Sequence, residues 1–227
     1  MADKKIEKAI YGPSAIEVAL GAILGFLLGV VVACVYLTFK PVKTVPEMPK
    51  AEDRVAGMVY YQSGTMDSSR SRQWSAKQKR FLAGGGVTVN EDDLNAWVAA
   101  DFKKPAAGQG DAPAAPSGQF LSAQPPNFRI VDGVMQIGYA CRIDYFGLGA
   151  TVQVQARGKF EKSGNTVEFD ADEFFIGSCP LHKLVGLGLP VISKLSSLHS
   201  VSEEMKTAWA KVSEASLEGR TLKLTIP

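Results

Sequence analysis

The longest run of apolar and small residues lies near the N-terminus, at residues 15–39, where only Glu17 and Thr38 depart from it. A helix of these 25 residues rises about 37 Å at 1.5 Å per residue, which exceeds the roughly 30 Å hydrocarbon core of a bilayer. The pattern therefore predicts a transmembrane helix that follows a short tail at residues 1–14.

Two alternatives to a permanent anchor involve processing. A cleaved signal peptide has an apolar stretch of about 7–15 residues followed by a small-x-small site, whereas this run is longer and ends in Tyr36-Leu-Thr-Phe39. Val31-Val-Ala-Cys34 is similar to a degenerate bacterial lipobox, in which Cys34 would be acylated after cleavage. The residues after Cys34 stay apolar, which favours an anchor in which Cys34 is a small residue of the helix.

Flanking charge does not orient the helix, because lysines lie in the tail and Lys40, Lys43 and Lys50 follow the run. The positive-inside rule counts both flanks, and a long following domain can be translocated largely regardless of its charge. We therefore expect a single-pass protein of the cell inner membrane, with a short cytoplasmic tail and an extracytoplasmic domain.

Small residues recur every four positions in the run, at Gly21, Gly25, Gly29 and Ala33. This spacing places them on one stripe, where a second helix backbone can approach closely, as in a glycine zipper. The stripe predicts a homo-oligomer or a membrane-protein partner. The alternative is that glycine is simply frequent in transmembrane helices.

The segment after the anchor, residues 40–53, contains Pro41, Pro46 and Pro49. Proline removes backbone donors and stiffens extended chain, so we expect a stalk that lifts the domain off the bilayer. Residues 54–227 are expected to form the soluble domain.

The first half of this domain predicts a short strand at residues 55–62 and a helix at residues 68–82. A second helix should begin near Glu91, because Asn90 is a good cap and three acids follow it. The Pro-, Ala- and Gly-rich residues 103–119 predict a flexible loop.

Strict alternation of apolar and polar residues then predicts three long antiparallel strands. Asp132-Gly133 is a strong hairpin signal, and a bulge is expected near Asp172 or Glu173, where the alternation changes parity. The opposite face, from Gln153 to Glu161, should be wet. The predicted register pairs Ile130 with Met135, Phe128 with Ile137, Ile143 with Val152, Ile137 with Gly158, Phe160 with Val167 and Gly158 with Phe169.

The apolar face of this sheet needs a cover, which residues 180–198 and a helix at residues 200–214 with a Ser200–Glu203 capping box can supply. A hairpin across Glu218-Gly219 closes the chain. The fold class is α+β, with a long curved antiparallel meander packed on helices. A glycine-rich cover over an apolar sheet face suggests a cavity whose candidate lining is Ile137, Val154, Gly158, Phe169, Leu184 and Leu187.

The densest positive run belongs to the first predicted helix of the domain and comprises Arg70, Arg72, Lys77, Lys79 and Arg80. A solvated helix face explains this run simply. The functional interpretation is that this basic face binds anionic lipid headgroups, an acidic partner or a cell-wall polymer.

The composition excludes several classes of function. The chain has 25 Lys and Arg against 23 Asp and Glu, so its surface is not built for nucleic acid. Two histidines and three cysteines leave little material for a metal site, and no G-x-S-x-G is present. We therefore expect no catalytic residues, no metal and no cofactor. A Cys141–Cys179 disulfide would require a sharp turn after Gly177.

The single N-terminal helix, the meander, the terminal hairpin and the motif T-x-x-E-x-x-L-N at Thr88–Asn95 together resemble bacterial single-pass envelope proteins of the YpmS-like and LmeA-like kind. The resemblance implies a tubular-lipid-binding-like domain with an apolar cavity and no catalytic residues. We therefore expect a membrane-anchored envelope protein whose domain binds lipid or another apolar ligand. The alternative is a structural or assembly subunit that docks on a membrane complex through the zipper, and an enzyme is the least favoured class.

Overall fold

The structure is a computed structural model that describes residues 12–67, 71–101, 121–145, 148–164, 166–184 and 201–227. The fold is α+β, with one long apolar helix and two antiparallel sheets packed on shorter helices. The helices are α1 (Ala15–Phe39), α2 (Ser71–Leu82), α3 (Glu91–Asp101) and α4 (Glu203–Trp209), with 3-10 turns at Ala51–Asp53 and Leu181–Lys183. The strands are β1 (Lys43–Thr44), β2 (Tyr60–Tyr61), β3 (Val87–Asn90), β4 (Leu121–Ala123), β5 (Asn127–Val131), β6 (Val134–Tyr145), β7 (Leu148–Ser163), β8 (Thr166–Ile176), β9 (Cys179–Pro180), β10 (Glu214–Glu218) and β11 (Thr221–Thr225).

Helix α1 is long and apolar enough to cross a membrane, with a mean hydropathy of 2.8. It begins with a reciprocal capping box between Ser14 and Glu17, which satisfies two backbone donors at the helix start. Most of its side chains are exposed, but Val30, Cys34 and Leu37 are half-buried. Since these positions follow helical spacing, one face of the C-terminal half of α1 lies against the domain.

The large sheet has the strand order β4-β6-β7-β8-β9, and β5 also pairs with β6. The first hairpin confirms the prediction, because Ile130 pairs with Met135 and Phe128 with Ile137. Asp132 and Gly133 adopt φ of 52° and 71°, the left-handed values that a two-residue hairpin turn requires.

The predicted register of the next two hairpins is wrong by two residues. Cys141, not Ile143, pairs with Val152, and Phe160 pairs with Phe169 instead of Val167. Strand side chains repeat with a period of two, so this displacement leaves every apolar residue on the predicted face. Alternation alone could not detect it.

The predicted bulge is confirmed at Asp172. Arg157 pairs with Glu173 while the next residue, Gly158, pairs with Ala171, so Asp172 is the extra residue of β8. A Cβ on Gly158 would lie 1.8 Å from the carbonyl oxygen of Asp170. The bulge therefore needs glycine at this position because the two backbones approach so closely.

A smaller sheet has the strand order β10-β11-β3. The predicted hairpin between β10 and β11 is present, but Glu218 pairs with Thr221, so the turn residues are Gly219 and Arg220, one position later than predicted. The last helix is shorter than the expected 200–214. Its cap is Ser202, whose Oγ accepts a hydrogen bond from the amide of Met205 at 3.3 Å, and Ser200 lies outside the described residues. After Trp209 the chain turns, and Glu214 begins to pair with Thr225 in the small sheet.

Two apolar clusters lie on the same face of the large sheet. The first joins one end of that sheet to α2, α3, α4 and the small sheet, around Ile130, Met135 and Val89. The second is built around Cys141, Val154 and Cys179 at the other end, and Cys34 and Leu37 of α1 pack against it.

The segment predicted as a stalk does not stand clear of the domain. Strands β1 and β2 pair in parallel, and the Nε2 of Gln62 donates to the carbonyl of Pro46. The chain around β2 covers the polar face of the large sheet, where Gln136 and Gln155 are buried. The expectation that this face is wet is therefore wrong there, because Gln136 Nε2 donates to Gln62 O at 2.9 Å and Arg157 Nη2 to Tyr60 O at 3.4 Å.

Candidate functional site

An apolar cavity of about 740 Å³ lies between the two sheets and helices α2, α3 and α4. Strands β7 and β8 contribute Phe160 and Phe169, and the small sheet contributes Val89 and Leu224. Its size falls in the range in which proteins bury a drug-sized ligand. Four aromatic residues on the helices complete much of the wall: Trp74, Phe81, Trp97 and Trp209.

Aromatic contacts hold this wall in place. The rings of Phe160 and Phe169 lie 5.5 Å apart, as do those of Phe160 and Trp209. The indole Nε1 of Trp209 donates to the carbonyl of Val167 at 2.9 Å. Because its polar atom is paired, Trp209 presents an apolar ring to the cavity.

The polar positions at the cavity are few. Lys206 and Glu168 line it, and Lys206 Nζ also donates to Glu203 at 2.7 Å on an exposed surface. An apolar wall with charged groups at an exposed border suits a ligand with an apolar body and a polar end.

Only part of the predicted ligand site lies here. Phe169 lines the cavity, and Ile137 packs against the same apolar cluster. Val154 and Leu184 belong to the second cluster, Gly158 is required by the bulge, and Leu187 lies outside the described residues. Of the predicted cover at residues 180–198, residues 185–198 also lie outside them.

The predicted ligand site did not include the tryptophans of the cavity wall, although they lie in predicted helices. Trp97 and Trp209 fall within the two helices predicted to begin near Glu91 and at residue 200, but their common environment depends on how α3 and α4 pack against β7 and β8. Such contacts between distant segments leave no periodic mark in the chain.

Asn90 caps the start of α3, as predicted, in a reciprocal pair with Asp93. Asn90 Oδ1 accepts from the amide of Asp93 at 2.9 Å, and Asp93 Oδ2 accepts from the amide of Asn90 at 3.0 Å. Asp93 is fully buried and also accepts a hydrogen bond from Lys77 Nζ at 2.5 Å.

This pairing removes Lys77 from the basic surface predicted to bind anionic groups, because its ammonium group forms an ion pair with the buried carboxylate of Asp93. Lys79 and Arg80 are exposed on α2. Arg70 and the side chain of Arg72 lie outside what the structure describes. Of the five predicted residues, the structure thus shows Lys79 and Arg80 on an exposed surface.

The small-residue stripe lies on a face of α1 that differs from the face against the domain. A Cβ on Gly21, Gly25 or Gly29 would meet no described atom within 4 Å, and Ala33 is exposed. The domain contacts the neighbouring face at Val30 and Cys34.

The cysteines are free thiols. The chain does turn after Gly177, into β9, but Cys141 and Cys179 are not bridged. Burial raises the pKa of both thiols, that of Cys179 to about 11 with a contribution from Cys34. His182 Nδ1 lies 3.2 Å from the amide nitrogen of Phe174, and among the described residues no group of three His, Cys, Asp or Glu side chains is arranged to hold a metal ion.

Comparisons with protein-family models, with curated proteins and with solved structures found no match to this chain. The resemblance to YpmS-like and LmeA-like proteins therefore stays a prediction.

Proposed function

We propose that this chain is a membrane-anchored envelope protein whose domain holds an elongated apolar ligand, such as a lipid acyl chain, in the cavity between the two sheets. The observation that carries the proposal is the aromatic and aliphatic wall of this cavity of about 740 Å³. Side chains in a packed core leave few voids larger than a water molecule, so a space of this size suits a ligand.

The position of the cavity supports a carrying or presenting role. Helix α1 meets the large sheet beside Val154, whereas the cavity is lined by Phe160 of the same strand. The two residues are separated by about 20 Å along β7 at roughly 3.3 Å per residue. With α1 in the inner membrane and the domain outside the cytoplasm, the ligand would be held away from the bilayer surface.

Native mass spectrometry of the full chain released from detergent tests the proposal. The wild type should carry an apolar molecule, and Ala210→Trp should abolish it because Ala210 is an exposed residue at the cavity wall. Lys211→Trp is the matched control, since it adds the same side chain one position away. An empty wild type, or equal loading of both variants, would contradict the proposal.

A second candidate function is assembly through α1. It is favoured by the stripe of Gly21, Gly25 and Gly29, because the face against the domain is a different one. Close helix packing on such a stripe drives association in lipid. The two functions are compatible, because the stripe and the cavity occupy separate parts of the molecule.

A further inference from the structure

A second pocket, of about 390 Å³, lies on the polar face of the large sheet, beside the C-terminal end of α1. Leu37 of α1 and Ser178 of the turn after β8 form its end near the helix. Met58, Val59 and Phe175 supply apolar surface. The pocket is distinct from the apolar cavity, which opens on the other face of the sheet.

The charge of this pocket is positive. Arg54, Arg157 and Lys183 line it, against the carboxylate of Glu173. Arg157 is held from several sides, since it donates to Gln136 at 3.0 Å and to Glu173 at 3.4 Å.

Two further cations lie close to this pocket. Lys40 Nζ donates to the carbonyl of Gly57, a lining residue, at 2.7 Å. Lys43 Nζ lies 6.0 Å from the ring centre of Tyr60. Three cations and one carboxylate therefore line the pocket, and Lys40 and Lys43 add positive charge beside it. Glu47 and Asp172 line an adjoining pocket that shares Arg54 and Arg157.

Gln155 gives the pocket an unpaired acceptor. Its side chain is 1% exposed and lines the pocket, and its Nε2 lies 3.5 Å from the carbonyl of Tyr60. Its Oε1 has no hydrogen-bond partner within the described part of the chain. A buried acceptor without a donor costs free energy, so a ligand that brings a hydroxyl or ammonium donor fits this position.

The pocket also lies at the right depth. Helix α1 has 25 residues, so it is about 37 Å long and extends a few ångströms beyond a hydrocarbon core of roughly 30 Å. When α1 spans a bilayer, Leu37 and the pocket beside it lie at the level of the lipid headgroups.

We propose that this pocket binds the headgroup of an anionic phospholipid from the bilayer in which α1 is anchored. The phosphate would lie between Arg54 and Lys183, and a headgroup hydroxyl would donate to Gln155 Oε1. The recognised chemistry is a phosphate ester that carries a hydroxyl donor. The proposal goes beyond the apolar cavity and does not depend on it.

The test uses the full chain in nanodiscs of phosphatidylcholine with a minor fraction of phosphatidylglycerol, and native mass spectrometry counts the lipids retained by the ejected protein. The wild type should retain phosphatidylglycerol in excess, and should prefer it to phosphatidylmethanol, which lacks the hydroxyls. Arg54→Gln and Lys183→Gln should each lower this enrichment about fivefold, the ratio that corresponds to about 1 kcal/mol per basic residue at a membrane surface.

Matched controls are Lys162→Gln and Arg220→Gln, which remove the same charges from exposed positions away from the pocket. They should retain the wild-type enrichment. The proposal is overturned if the wild type retains both lipids equally, if the controls lose as much as the pocket variants, or if phosphatidylmethanol is retained equally well. Binding of soluble glycerol phosphate as strong as that of the lipid would overturn the bilayer as the source.

Discussion

The side chain of Asn95 pairs with both backbone polar groups of Phe128. Its Oδ1 accepts from the amide of Phe128 at 2.7 Å, and its Nδ2 donates to the carbonyl of the same residue at 2.8 Å. One helical turn earlier, Glu91 Oε2 accepts from the amide of Ile130 at 3.2 Å. Helix α3 therefore closes the outer edge of β5, which would otherwise present unpaired backbone groups.

This relationship gives the motif at Thr88–Asn95 a structural role. Glu91 and Asn95 bind the strand edge, and Leu94 belongs to the first apolar cluster. The spacing of four residues follows from the helix, which brings positions i and i+4 to the same side.

Asn95→Ala should destabilise the domain strongly. It leaves the amide and carbonyl of Phe128 without partners, and an unpaired buried polar group costs about 1–3 kcal/mol. Chemical denaturation followed by tryptophan fluorescence measures the free energy of unfolding. Gln73→Ala, at an exposed position of α2, is the control and should change it by less than about 0.5 kcal/mol. Equal free energies of unfolding for the two variants would contradict this role of Asn95.

Lys77→Met should lower the free energy of unfolding, whereas Lys79→Met should leave it unchanged. The first change leaves the buried carboxylate of Asp93 without its cation, while Lys79 is exposed. We expect a loss of about 1–3 kcal/mol for Lys77→Met, less than for a fully buried pair, because the Lys77 side chain is 35% exposed. The measurement is again the free energy of unfolding, and similar values for both variants would assign Lys77 to the solvated surface.

Gly177→Ala should loosen the contact between α1 and the sheet. Gly177 has φ of 57°, and a Cβ there would lie 2.0 Å from the carbonyl oxygen of Thr38. Gly164→Ala is the control, since Gly164 has φ of 63° and no described atom within 4 Å of a Cβ. Both variants carry left-handed strain of about 1–2 kcal/mol, so the difference between them isolates the clash.

The readout for this pair is maleimide labelling of Cys179, which is 1% exposed in the native fold. Its labelling should become faster in Gly177→Ala and stay slow in Gly164→Ala. Slow labelling in both variants would show that the junction tolerates the added methyl group.

The stability of the domain should fall between pH 10 and pH 12 through Tyr61. Burial raises the pKa of Tyr61 from 10.0 to about 12, so the unfolded chain loses its phenolic proton at a lower pH than the folded one. The stabilisation is complete below pH 10 and is lost as the pH rises through the folded pKa. Tyr61→Phe should remove this part of the pH dependence, as measured by thermal melts across the range, and an unchanged slope would contradict the assignment.

Gly25→Leu should weaken self-association of the full chain in detergent. A bulky side chain on the stripe separates two helix backbones that would otherwise pack closely. Ala19→Leu adds a similar side chain off the stripe and should leave association unchanged. Cross-linking or sedimentation of the two variants decides between a packing stripe and incidental composition.

Local signals predicted the local structure well. The turn at Asp132-Gly133 and the cap at Asn90 depend on neighbouring residues alone, and both are confirmed. The register of β6 with β7 is wrong by two residues because alternation defines a face and not a partner.

The covering of the polar face could not be predicted at all. Gln136 and Gln155 are expected to face solvent in an amphipathic strand, and only the return of the chain near Tyr60 buries them. The aromatic wall of the cavity has the same origin, since Trp74, Trp97 and Phe160 come from distant segments that only the tertiary fold brings to one cavity.

The end of α1 is capped by the domain, since the amide of Ser178 donates to Leu37 O at 2.9 Å and its hydroxyl donates to Lys40 O at 3.3 Å. These two hydrogen bonds join α1 directly to the turn after β8. If α1 spans a bilayer, we therefore expect the domain to follow the tilt and rotation of α1. If two copies of α1 pair along their small-residue stripes, this pairing would fix the distance and the relative orientation of the two attached domains. Contacts inside the membrane would then determine how the domains are arranged outside it.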